Sequence, residues 1–316
     1  MENIIPPESG NKKGPLSGIH PLYFIIISLA IVFFLYQIVG GLISFMILGQ
    51  DMEINSSNLN LTRIVLTFAQ FMFILAPAVF LVMLQDNDLK ETFRLKLPDL
   101  KILLYSVMGI IAVQPFLQVY IYFQNEIIFS LPFGSDFLKQ MKELFDTLEA
   151  TTAKLVTAGS FPEFLFVLIV IAVTPAVCEE FLFRGLVLKN LEKITNASKA
   201  IFFSGLLFAL FHFHPFNLIP LILLGIYLSF TVYYSGSILT AVVCHFMNNF
   251  ISAVAVYVYG AEAFTDLESG NALSSAEKIQ FILLGIVSIA VFIFICRLIK
   301  KNFVNKQEVI NSNQVI

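Results

Sequence analysis

Residues 163–188 read EFLFVLIVIAVTPAVCEEFLFRGLVL. From Phe164 to Cys178 the stretch carries no charge, and then Glu179, Glu180 and Arg184 arrive within six residues. About 20 apolar residues in a helix cross a bilayer core, so the segment reads as a span with charge at its inner end. Each such charge costs at least ~2.5–3.5 kcal/mol at mid-membrane, which makes the group a functional candidate with a partner to be found.

The rest of the chain agrees. Of its 316 residues 58% are hydrophobic and 13% charged, and the mean hydropathy is +0.84. That composition excludes a soluble domain and predicts an integral membrane protein in contact with the lipid bilayer. The net charge of −3 carries no basic block, so no nucleic-acid partner is expected. Cys178, Cys244 and Cys296 lie in apolar runs. They give neither a disulfide framework nor a CxxC pair.

Eight apolar segments can be drawn, at roughly 21–48, 64–85, 102–124, 163–188, 199–213, 217–234, 237–258 and 279–299. The fifth is short and is stopped by Pro215, so it forms a tight hairpin with the sixth. Lys and Arg concentrate in the N-terminal segment (Lys12, Lys13), in 86–101, in 189–199 and after Arg297. This alternation predicts an all-α, polytopic bundle of about eight transmembrane helices with both termini cytoplasmic. A polar segment, 1–20, precedes a single domain over 21–300, with its motif core at 163–258 and a polar, mobile tail at 301–316. The run Pro21 to Gly49 is too long for a signal-peptide core. Few arginines and no eukaryotic sorting signal lean toward a bacterial cytoplasmic (inner) membrane. In the connection 125–162, Phe137, Met141, Leu144, Phe145 and Leu148 recur at helical spacing. An extramembrane amphipathic helix at about 136–150, lying on the outer surface, capping the bundle or serving as a solvated linker, is expected there.

Few polar groups remain at membrane depth: Glu179, Glu180 and Arg184, then His212, then His245, Asn248 and Asn249. At a rise of ~1.5 Å per residue, Glu179, His212, His245 and Asn249 all fall ~13–20 Å from the cytoplasmic boundary. Glu180 and Arg184 stand four apart and suit an ion pair, leaving Glu179 turned toward another neighbour. Phe208 and His212 are also four apart, as are His245 and Asn249, a pair expected to point into one cavity. A carboxylate and a histidine converging on a buried water form a general-base assembly. A second histidine and an amide offer donors to an oxyanion. Cys178 has no basic neighbour at helical spacing and is not a nucleophile. His214, beside Pro215, suits a capping or interfacial role.

Glu179-Glu180-x-x-x-Arg184, Phe208-x-x-x-His212 and His245-x-x-x-Asn249 resemble, in order and on separate spans, the three motifs of the CPBP family. These are type II CAAX prenyl endopeptidases and bacteriocin-processing membrane proteases, also called the Abi family. The resemblance is specific over about 175–250. It implies an intramembrane endopeptidase of the glutamate type acting on a membrane-associated or lipidated peptide. Glu179 and His212 would activate water, His245 and Asn249 would form the oxyanion site, and Glu180, Arg184 and Phe208 would support them. No cofactor is expected in that reading. A zinc-dependent version would use Glu179, His212 and His245 as ligands, although HExxH spacing is missing. In another class stands a non-catalytic membrane protein acting in bacteriocin immunity. A transporter or proton relay is disfavoured, because the polar groups share one depth instead of lining a route.

Overall fold

The computed structural model describes residues 14–49, 54–85, 88–130, 135–260 and 273–313. The N-terminal segment as far as residue 13, the outer connection 261–272 and the last three residues of the expected tail lie outside these. The described chain is helical and contains no strand. Its helices are α1 (Pro21–Leu48), α2 (Leu59–Gln85), α3 (Leu89–Thr92), α4 (Leu100–Ser130), α5 (Ser135–Val156), α6 (Phe161–Glu192), α7 (Ala197–Phe211), α8 (Leu218–Ser235), α9 (Ile238–Tyr259) and α10 (Ser275–Asn313). Seven of them are long and apolar enough to cross a membrane. Large side chains such as Ile26, Leu42, Ile64 and Leu283 are exposed, as lipid-facing positions require. The protein is an all-α, polytopic membrane bundle.

Two expectations change. The fifth segment, α7, has 15 residues, about 22 Å of helix, too short for a hydrocarbon core of ~30 Å. Its partner α8 has 18 and is among the seven that can cross. The C-terminal helix does not stop at Lys301 but runs on to Asn313. No Gly or Pro interrupts 302–313.

Helix α6 is the centre of the bundle. Leu182, Phe183, Leu186, Val187 and Leu188 are wholly buried. The helix widens to π-helical turns at Ile169–Val173 and Phe181–Val187, on either side of the two glutamates; such turns recur at functional sites. Helices α7 and α8 meet at Gly205 and Gly225. A Cβ on Gly225 would lie 2.8 Å from Gly205 Cα and 3.0 Å from the Phe208 ring. Gly225→Val should therefore overpack this contact and cost about 1–3 kcal/mol. A lower unfolding midpoint of the detergent-solubilised protein is the expected reading.

The connecting helix is longer than 136–150. Helix α5 spans 22 residues and is fastened at two points. At its C-terminal end the fully buried Arg63 donates to the Leu155 carbonyl (Nε, 3.0 Å) and the Thr157 carbonyl, and pairs with Glu163 at 2.7 Å. Farther along, Glu149 meets His214 Nε2 at 2.8 Å and accepts from Asn217 Nδ2 at 3.1 Å. The Phe145 ring rests 4.7 Å from that of His214, and Gln124 of α4 donates to the Phe216 carbonyl at 2.7 Å. Helix α5 and Gln124 thus give the polar turn between α7 and α8 its hydrogen-bond partners.

Candidate active site

Glu179 ends the uncharged part of α6, and His212 caps the C-terminus of α7. Their side chains approach to 3.6 Å (Oε2 to Nε2), just beyond hydrogen-bond reach, with 17% and 31% of each exposed. Glu179 Oε2 is buried and has no hydrogen-bond partner among the described residues. His212 Nδ1 lies 2.8 Å from the Phe208 carbonyl. A carbonyl only accepts, so Nδ1 carries the hydrogen and Nε2 is the nitrogen turned to Glu179. A buried carboxylate oxygen and an imidazole nitrogen, both able to accept, thus converge on a partly open point.

The adjacent carboxylate has different surroundings. Glu180 is wholly buried and accepts from Arg184 Nη1 at 3.0 Å, the i,i+4 pairing expected from spacing. The second arm of Arg184, Nη2, donates to the Gly225 carbonyl at 3.0 Å, and its guanidinium lies 4.6 Å from the centre of the Phe208 ring. Phe208 also faces His212 at 4.5 Å and His245 at 6.0 Å. It is the common wall between the two histidines.

His245 and Asn249 do not turn together into one cavity. His245 Nδ1 lies 2.8 Å from Glu180 Oε1, completing a buried Arg184–Glu180–His245 triad. A lone arginine does not fill the acceptor capacity of a fully buried carboxylate, and the histidine supplies a second donor. Asn249 donates from Nδ2 to the Ile171 carbonyl at 3.2 Å. Pro175, four residues after Ile171, has no N–H to give that carbonyl, so Asn249 satisfies a group the helix leaves open. Asn248 donates to Asn249 Oδ1 at 3.1 Å and accepts from Gln114 at 3.0 Å.

Among the described residues, no three His, Cys, Asp or Glu side chains form a group that could hold a metal ion. The ligand set considered for zinc, Glu179, His212 and His245, is divided: the first two face each other while His245 is turned to Glu180. That set does not fit a three-ligand zinc centre.

Sequence reasoning missed several members. Tyr36, on the π-helical turn Phe34–Gly40 of α1, comes within electrostatic reach of Glu179. Arg63 fell just outside one drawn span and Glu163 opened another, yet opposite charges at the same end of two spans were a usable signal.

Residues 161–251 match the family described as Rce1-like: type II CAAX prenyl endopeptidase Rce1-like. The matched segment contains all three motifs. No curated protein and no solved structure matches the chain.

Proposed function

Since residues 161–251 match the Rce1-like, type II CAAX prenyl endopeptidases, we propose that the chain is a membrane protease that cleaves a membrane-associated or lipidated peptide by glutamate catalysis. Glu179 and His212 Nε2 hold a water between them. As the water oxygen attacks the scissile carbonyl carbon, its proton passes to Glu179, which later returns it to the leaving amine. His245 faces the oxyanion with Nε2. Its Nδ1 is tied to Glu180, so a protonated ring donates from Nε2 and is balanced by the carboxylate behind it. Arg184 holds Glu180 from the other side and ties it to α8 through the Gly225 carbonyl. Asn249 contributes by holding α6 and α9 in register through the Ile171 carbonyl. Phe208 keeps the two histidines apart.

The observation that carries this reading is the Glu179 oxygen that lies 3.6 Å from His212 Nε2 and makes no hydrogen bond. We further propose, from the loop charges, that both termini are cytoplasmic in a bacterial inner membrane. The divided zinc set supports catalysis by the side chains themselves. Cleavage of a membrane-anchored peptide by reconstituted protein is thus expected to survive prolonged treatment with strong chelators. Activity lost to the chelator and restored by Zn²⁺ would overturn that part of the mechanism.

A further inference from the structure

Beyond the catalytic centre, a second cluster of charge lies at the C-terminal end of α6. Lys90, Arg94, Lys96 and Lys189 line an open cavity of about 390 Å³ together with Glu91, Leu95 and Gly236. Four cations face one lining carboxylate, and that one, Glu91, is largely exposed and 3.5 Å from Lys189. Arg94 is engaged by Glu192 through Nη2 alone. Its Nη1, and Glu192 Oε1 beside it, have no hydrogen bond among the described residues.

The cavity walls are fixed in place. Arg94 itself adopts a positive φ of 48°, a backbone state rarely taken by a residue with a side chain. That turn is held from both sides. Phe93 is buried, stacks 4.8 Å from Phe181 and fills the space left by the missing side chain of Gly185. Ser237 Oγ donates to the Lys96 carbonyl, and Ile238 N–H to the Arg94 carbonyl at 3.4 Å. Gly236, with φ +63°, lets Lys96 Nζ lie over the turn, 2.9 Å from where a Cβ would be. A solvated loop of lysines would need none of this anchoring.

We propose that this cavity is an anion site for a phosphate group, presented by the headgroup of an anionic phospholipid. The cavity sits at the ends of α2, α6 and α8, on the face of the Lys/Arg-rich loops. Headgroup phosphates lie at that level, and basic pockets between spans bind them. The three lysines and Arg94 would supply the charge that holds a phosphate group there. None of these residues belongs to the catalytic machinery, so the site stands or falls separately from the proposed protease mechanism.

The test is native mass spectrometry of the full chain in detergent, titrated with phosphatidylglycerol or phosphatidylcholine, with inorganic phosphate as a third arm. Phosphatidylglycerol should be retained preferentially. Lys90→Gln and Lys96→Gln should each weaken it about fivefold, the effect of one basic residue near a charged headgroup. Both variants keep the Arg94–Glu192 pair, and folding is checked by elution profile. Phosphate that displaces the lipid in wild type but not in the variants would support the anion site and assign it to the free ion as well. Equal retention of the two lipids, or a double variant binding phosphatidylglycerol like wild type, would overturn the proposal.

Discussion

Glu179→Gln should leave a folded membrane protein that no longer cleaves its substrate, with kcat reduced about 10²–10⁴-fold. The amide keeps the size of the side chain but cannot take a proton from water. The substitution removes no bond that the fold depends on: Glu179 Oε2 has no hydrogen-bond partner, and the contact to His212 is 3.6 Å. Yield and unfolding midpoint should therefore stay near wild type while the rate collapses. His212→Ala should fall in the same range, because Nε2 is the other acceptor at the water position. Combining the two should cost little more than either alone, as expected for residues acting as a unit. The readout is release of a fluorescent fragment from a vesicle-anchored peptide, normalised to folded protein.

Arg184→Met should act on the fold first. Both members of the Glu180–Arg184 pair are wholly buried, and removing one partner of such a pair typically costs about 3–5 kcal/mol. The loss reaches further here. Arg184 also satisfies the Gly225 carbonyl and sits against Phe208, while Glu180 would be left with His245 alone. Low accumulation in the membrane and a much lower unfolding midpoint are expected. Replacing Glu180 and Arg184 together with apolar residues of similar volume should recover part of the stability without recovering activity. A single Arg184→Met variant that accumulates and melts like wild type would show that the triad is not what holds α6, α8 and α9 together.

The different partners of the two adjacent glutamates were legible from spacing. Glu180 and Arg184 share a helix face, so Glu179 had to point elsewhere, and His212 stood at the right depth to meet it. What spacing could not give was tertiary. Nothing local links His245 to Glu180; the pairing follows from the need of a fully buried carboxylate for a second donor, visible only once α6 and α9 are side by side. Asn249 illustrates the same point. Its i,i+4 relation to His245 suggested a shared cavity, but the carbonyl that Pro175 leaves open on α6 claims its amide first. Pro175 was in plain view, and asking which carbonyl it orphaned would have pointed to Ile171. The seven long spans were readable from hydropathy, whereas the role of α5 was not. Its contacts to Arg63, His214 and Asn217 are tertiary, and no local pattern shows them.

The most direct measurement sets Glu179→Gln beside Glu180→Gln in the same vesicles, each read for unfolding midpoint and for peptide cleavage per folded molecule. If Glu179 is the base and Glu180 the anchor, the first variant melts like wild type and does not cleave, while the second melts well below it. A Glu179→Gln protein that cleaves at a wild-type rate, or a Glu180→Gln protein as stable as wild type, would contradict that assignment.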